Sequence, residues 1–235
     1  MSIRKPVFLL AGGRRSTSKS PDPVIQAVLK ETGVTSPAVG YVGTANGDDK
    51  RFFLFMQSAF QAAGAGKVEH ALICPKAADL NKAREILKAA DAVFISGGDV
   101  EAGMQVLEFK KMVDFFSGLG EQGKFFFGLS AGSIMLARKW VRWRDPDDDA
   151  TAELFPCMGL APVICDTHAE DDGWEELKAA LNLEKEGAEG YGIASGTAIK
   201  VYPGGKVAAL GGPVMHYARS KDKLVKLADI LPDGS

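Results

Sequence analysis

The sequence predicts an α/β fold, a three-layer sandwich around a mostly parallel central sheet, on three observations. Short apolar runs recur through the first 130 residues, amphipathic stretches separate them, and glycines close several of the runs. Strands joined by crossover helices give a parallel sheet covered on both faces, so its strands read as continuous apolar segments. Residues 6–11 (PVFLLA) are the first such segment, closed by Gly12 and Gly13. A helix follows over 23–32, with Val24, Ala27 and Val28 at helical spacing. Residues 38–42 (AVGYV) form the second strand, 44–49 a polar loop, and 50–63 a helix rich in Phe. The third strand is 68–73, and a helix over 79–90 places Leu80, Ala83, Ile86, Leu87 and Ala90 on one face. Residues 92–96 (AVFIS) lead into Gly97 and Gly98. A helix over 104–119 then turns Val106, Phe109, Val113 and Phe116 inward, and 125–129 (FFFGL) is the fifth strand.

The last third changes character. Residues 139–155 are charged and irregular, with Trp140, Trp143 and acidic 145–149. A strand over 161–165, a helix near 174–181 and strands at 198–202 and 207–210 follow, the last two joined at Gly204-Gly205 as a hairpin. With no internal repeat or linker, 1–235 reads as one domain.

Composition excludes several classes. The chain has 235 residues, 46% hydrophobic and 25% charged, with a formal net charge of −2. That is a globular balance with no electrostatic footprint for nucleic acid. No apolar run reaches the ~20 residues that span a bilayer, and the start lacks the long apolar core of a secretion signal. Three cysteines, without metal-ligand spacing, read as reduced thiols in a cytoplasmic protein.

The chemistry centres on Gly128-Leu129-Ser130-Ala131-Gly132, placed between an apolar strand and an apolar helical run. This G-x-S-x-G pattern, in that context, marks a nucleophile elbow: a sharp turn exposes the Ser130 hydroxyl, and the helix N-terminus favours developing negative charge. A serine needs a base to take its proton. Of the three histidines, His168 ends a strand-like stretch 38 residues after Ser130, His70 lies inside a strand pattern and reads as structural, and His216 lies past the hairpin. His168 is the expected base. Acyl transfer also needs backbone donors for the oxyanion, and Gly98 with Ala131 is the natural pair. Asp99 either binds a substrate amine or caps a helix. Arg14 and Arg15, at the same sheet edge, either pair with a substrate carboxylate or belong to a solvated loop. Arg138, Lys139, Arg142 and Arg144, alternating with Trp140 and Trp143, read either as an acidic-substrate site or as a strand in an oligomer interface. No metal site is indicated.

Residues 94–100 (FISGGDV) and 128–133 (GLSAGS), followed by the strand ending in His168, resemble the aspartyl dipeptidase (peptidase E) and cyanophycinase family of serine peptidases. The resemblance runs from Phe8 to Leu210. It implies a class I glutamine amidotransferase-like, flavodoxin-like fold, with Ser130 as nucleophile, His168 as base, and Gly98 and Ala131 as oxyanion donors. It further implies short aspartyl or β-aspartyl peptides as substrates and no cofactor. A glutamine amidotransferase would carry Cys where Ser130 stands. The family's third triad member, an acid, falls at Ser195 in 192–198 (GIASGTA). Three arrangements remain open: Ser195 orients the ring, one of Glu170, Asp171, Asp172 or Glu189 supplies the carboxylate, or catalysis has decayed. Two other readings stand beside the peptidase: an α/β-hydrolase-type esterase using His216, and a non-catalytic member binding a ligand or partner. The expected partner is a small peptide substrate, with neither nucleic acid nor membrane; a homodimer is compatible with the Trp-bearing segment.

Overall fold

In the inner parallel strands of the central sheet, alternate side chains serve opposite faces, and both faces are apolar. The structure is a computed structural model that describes residues 4–12, 21–145, 147–221 and 223–232. The first part of the chain runs β1 (Val7–Leu10), α1 (Pro23–Lys30), β2 (Val39–Val42), α2 (Lys50–Ala62), β3 (Val68–His70), α3 (Leu80–Ala89) and β4 (Ala92–Ile95). It continues with α4 (Val100–Phe109), α5 (Val113–Glu121), β5 (Phe125–Leu129) and α6 (Ala131–Leu136). The last part contains β6 (Lys139–Trp143), β7 (Ala152–Pro156), β8 (Ile164–Thr167), α7 (Glu175–Asn182), β9 (Glu189–Ile193), β10 (Ala198–Val201), β11 (Val207–Leu210), β12 (Met215–Ser220) and β13 (Lys223–Lys226).

The central seven-stranded sheet has the order β11-β10-β1-β5-β4-β2-β3. The five strands from β1 to β3 in that order are mutually parallel, and β10 and β11 extend the sheet antiparallel. This is the expected sandwich with a mostly parallel centre. Val7, Leu9, Val93, Ile95 and Phe126 face one layer, packed with Leu87, Met104, Phe116 and Met135. Phe8, Leu10, Tyr41, Phe94 and Phe127 face the other, against Val28 of α1 and Phe60 of α2. Phe127 is fully buried, with its ring centroid 5.0 Å from Phe94 and 5.5 Å from Phe60. His70 belongs to this structural layer, as expected. It stacks on Phe53 at 4.5 Å, and its Nε2 lies 3.2 Å from the buried Asp48 carboxylate.

Several segments differ from the sequence reading: strands β9, β12 and β13 were not expected, and Phe109, expected inward, is 83% exposed. The helix expected over 104–119 is two helices. Lys111 adopts φ 53°, and the chain closes α4 with Met112 N–H to Leu107 O (2.8 Å) and Lys111 N–H to Glu108 O (2.9 Å). That pattern is a Schellman cap on a non-glycine residue, and it turns Met112 into the core, where it is fully buried. The stretch over 139–155 is not irregular: β6 and β7 pair as an antiparallel hairpin. The strand expected to lead into His168 forms as β8, which starts only at Ile164, and it lies in a second sheet of order β13-β12-β9-β8 with β8 parallel to β9. Helix α7 covers that sheet through Trp174, Leu177 and Leu181, packed with Ile164 and Tyr217. Among the described residues, no helix is long and apolar enough to cross a membrane.

Candidate active site

Strand β5 ends at Leu129, and the chain reverses at Ser130 with φ 53° and ψ −125° before α6 begins. A non-glycine residue holds such a conformation only when its neighbours enforce it. Here Leu10 O of β1 accepts two hydrogen bonds, from Ser130 N–H (2.9 Å) and from the buried Ser133 hydroxyl (2.8 Å). Gly132 lets α6 sit against β4, since a Cβ there would lie 2.1 Å from Ile95 O. The turn is thus clamped to strands on both sides, and the Ser130 hydroxyl stands at the carboxyl edge of the sheet.

The second sheet brings His168 to the same edge. Thr167, the last residue of β8, is in register with Ile193 of β9, and His168 N–H donates to Ile193 O at 2.9 Å. His168 itself turns with φ 46°. Its Nε2 lies 2.7 Å from Ser130 Oγ, a full hydrogen bond between residues 38 apart in the chain.

Beside them, Gly98 has φ 145°, and a Cβ there would lie 2.0 Å from Ala45 O. The same Ala45 carbonyl accepts Asp99 N–H at 2.7 Å. Asn46 fixes the preceding peptide by donating Nδ2–H to Gly97 O (3.2 Å) and Ser96 Oγ (2.7 Å). The N–H groups of Gly98 and Ala131 have no acceptor among the described residues. Two donors beside a hydroxyl at a helix N-terminus suit a developing oxyanion.

The position expected to hold the acid takes a different part. Ser195 makes no hydrogen bond to His168 among the described residues. Its N–H instead donates to Glu170 Oε1 at 2.7 Å. Burial opposes the Glu170 charge, but the Ser195 hydrogen bonds and nearby His168 outweigh it, and the carboxyl lies below its usual range. Glu189 stands at the opposite end of β9, bound to Tyr191 OH (3.2 Å) and His216 Nε2 (3.1 Å). That pairing removes both Glu189 and the esterase base His216 from Ser130. Asp172 lines the cleft and caps the Trp174 N–H at 3.0 Å, and Asp171 is exposed.

Asp99 also lines the cleft, yet its Oδ1 caps α4 by accepting Ala102 N–H at 2.8 Å. Arg14 and Arg15 lie outside the described residues. The cations of the Trp-bearing hairpin are engaged in ion pairs: Arg142 joins Glu101 and Glu153, Arg144 joins Glu153, and Lys139 joins Glu184.

The cleft over Ser130 has a volume of about 330 Å³. Its wall holds two acids that the sequence does not single out, Asp166 of β8 and Glu176 of α7. Neither falls in a motif; only the packing of α7 on β8 brings them together. Burial first, and Glu176 second, push the Asp166 carboxyl up to about 7; the Thr167 and Leu177 amides act against the shift. Burial also raises Glu176, although Trp140 Nε1–H donates to its Oε2 at 2.6 Å. Among the described residues, no group of three or more His, Cys, Asp or Glu is arranged to hold a metal ion.

The sequence pattern of peptidase family S51 matches residues 7–208. The chain belongs to this family. It is accordingly a serine peptidase-type hydrolase. No curated protein sequence matches it. Among solved structures, it is similar to a peptidase from an acI-B1 Actinobacterium, at 16% identity and a TM-score of 0.71, covering 97% of each chain. It is also similar to a peptidase E-like protein from Listeria monocytogenes EGD-e, at 18% identity and a TM-score of 0.61, covering 88% of this chain and 98% of that one. At these identities the likeness is one of fold: the α/β sandwich of the S51 peptidases.

Proposed function

We propose that this S51 peptidase hydrolyses short peptides through an acyl-enzyme on Ser130. The observation that carries the reading is the 2.7 Å contact of Ser130 Oγ with His168 Nε2. His168 Nε2 accepts the hydroxyl proton as Oγ attacks the peptide carbonyl. The carbonyl oxygen takes the negative charge and is received by the Gly98 and Ala131 N–H groups. His168 then protonates the leaving amine, and water repeats the sequence to release the acid. Glu170, held by Ser195, supplies the negative charge that steadies the imidazolium, the part a carboxylate plays in a triad. No cofactor enters these steps.

A cleft of about 330 Å³ is at the small end of ligand sites and accommodates one or two residues, which supports short substrates. Aspartyl and β-aspartyl peptides are the first class to assay, and the free thiols of Cys74, Cys157 and Cys165 support a cytoplasmic setting. The test is turnover of Asp-X, β-Asp-X and Ala-X dipeptides by wild type and three variants. Ser130→Ala and His168→Ala are expected to lose at least about a thousandfold in kcat, while His216→Ala keeps its rate. Turnover surviving Ser130→Ala, or lost in His216→Ala, overturns the proposal.

A further inference from the structure

Behind the Gly97-Gly98 turn lies a polar cluster set into an apolar layer of the central sheet. Tyr41 and Ser96 are fully buried. The Tyr41 ring packs among Phe53, His70 and Phe94, with centroids 5.2, 4.9 and 5.5 Å away. Burial raises the Tyr41 phenol above its usual range, so it stays a donor, and it donates to Ser96 Oγ at 2.9 Å. Asn46, from the 3-10 turn Thr44–Asn46, completes the cluster. Its Nδ2 lies 2.7 Å from Ser96 Oγ, 3.2 Å from Tyr41 OH and 3.2 Å from Gly97 O. Asp49 N–H donates to Asn46 Oδ1 at 3.2 Å, which fixes the amide with its donor side toward Gly97. The Ser96 hydroxyl gives the Gly97 carbonyl a second donor at 3.3 Å. The turn that carries Asn46 is itself pinned, since the buried Asp48 carboxylate accepts Ile73 and Cys74 N–H, each at 2.7 Å.

These donors converge on one acceptor. Gly97 O belongs to the same peptide unit as the Gly98 N–H. A trans peptide is planar, with its C=O and N–H pointing to opposite sides. Holding Gly97 O inward therefore aims the Gly98 N–H outward, into the cleft that Gly98 lines. Glycine on both sides makes this peptide easy to rotate, and a half-turn would put a carbonyl oxygen where the oxyanion needs a donor. We propose that Asn46, backed by Ser96 and Tyr41, is a positioning residue that holds the Gly97–Gly98 peptide with its N–H toward the oxyanion. None of the three lines the cleft, so they act through that peptide and not on the substrate. This role rests on the peptidase reading and adds to it the groups that orient one of its two oxyanion donors.

The experiment follows saturation kinetics of fluorophosphonate labelling at Ser130, with dipeptide turnover and melting curves alongside. Asn46→Leu keeps the volume and removes the donor. Its maximal labelling rate and kcat are expected to fall about 10- to 100-fold, approaching the loss of a direct oxyanion donor. The half-saturating probe concentration, KM and the pH midpoint of labelling are expected to stay within about twofold, because the cleft wall and His168 are untouched. Tyr41→Phe keeps the ring and removes one neutral hydrogen bond, so its rate is expected to fall about threefold. In a Gly98→Ala background, Asn46→Leu is expected to slow labelling by less than about threefold more, since both changes act on the same N–H; a purely structural role would multiply the two losses. If Asn46→Leu does not fold, Ser96→Ala and Tyr41→Phe go through the same cycle, and wild-type rates in both overturn the role. A wild-type maximal rate in Asn46→Leu, a loss confined to KM and half-saturation, or multiplied losses in the double variant also overturn it and leave the peptidase reading intact. Absence of any labelling of wild-type Ser130 overturns both.

Discussion

Replacing Gly98 by Ala tests the oxyanion site without touching the nucleophile or the base. The position has φ 145°, a region that side chains rarely adopt, and holding a non-glycine residue there costs about 1–3 kcal/mol. The new Cβ would lie 2.0 Å from Ala45 O and 2.5 Å from Ala45 C, against an ordinary contact of at least about 3.4 Å. Both are backbone atoms, and Ala45 O is held by Asp99 N–H at 2.7 Å, so no side chain can swing aside. The loop must shift by about 1 Å or more, and the Gly98 N–H moves with it. Loss of one oxyanion donor costs about 10²–10³ in kcat. Peptide turnover should therefore fall by that factor or more, with Tm lower by several degrees. Fluorophosphonate labelling should slow in parallel, since that reaction also builds negative charge at the site. A Gly98→Ala protein with wild-type kcat would refute the reasoning.

Other perturbations read different parts of the structure. Glu170→Gln should lower kcat by about 10²–10⁴ with KM changed little, because it removes charge near His168 and no substrate contact; steady-state kinetics separate the two parameters. Burial, with Glu176 beside it, pushes the Asp166 carboxyl from 3.8 in water up to about 7 in the folded protein, so its proton favours the folded state. Its contribution is full below pH 3.8 and is lost as pH rises through about 7, a span of at most about 4 kcal/mol at 1.36 kcal/mol per pK unit. Asp166→Asn should accordingly gain stability relative to wild type between pH 5 and pH 8, read from urea melts at both values; an unchanged difference would contradict the assignment. Phe127→Ala should cost about 3–5 kcal/mol, since it empties a fully buried ring site between Phe60 and Phe94; a loss below 1 kcal/mol by the same measurement would contradict the packing.

What was legible in the sequence follows from how local its cause is. The runs 92–96 and 125–129 are apolar on both faces, and parallel strands covered on both sides must be so. Ser130 announces itself because its turn requires small neighbours adjacent in the chain. His168 was reachable by elimination among three histidines. The break at Lys111 was not, because a left-handed lysine carries no signal that glycine would have given. Residues 139–155 hid a hairpin because its charges pair across strands and with α4, hence in space rather than along the chain. The acid near His168 illustrates the same limit. Position 195 holds a serine, and only the folded loop shows its N–H gripping Glu170 from 25 residues earlier. Asp166 and Glu176 meet through the docking of one helix on one sheet, a tertiary fact without a motif.

The most direct measurement is mass-spectrometric mapping of fluorophosphonate labelling on the native protein and on His168→Ala. The expected result is one adduct on the peptide containing Ser130, formed at least about a hundredfold more slowly in the variant. Labelling at another serine, or a rate unaffected by the loss of His168, would contradict the pairing of that hydroxyl with that imidazole.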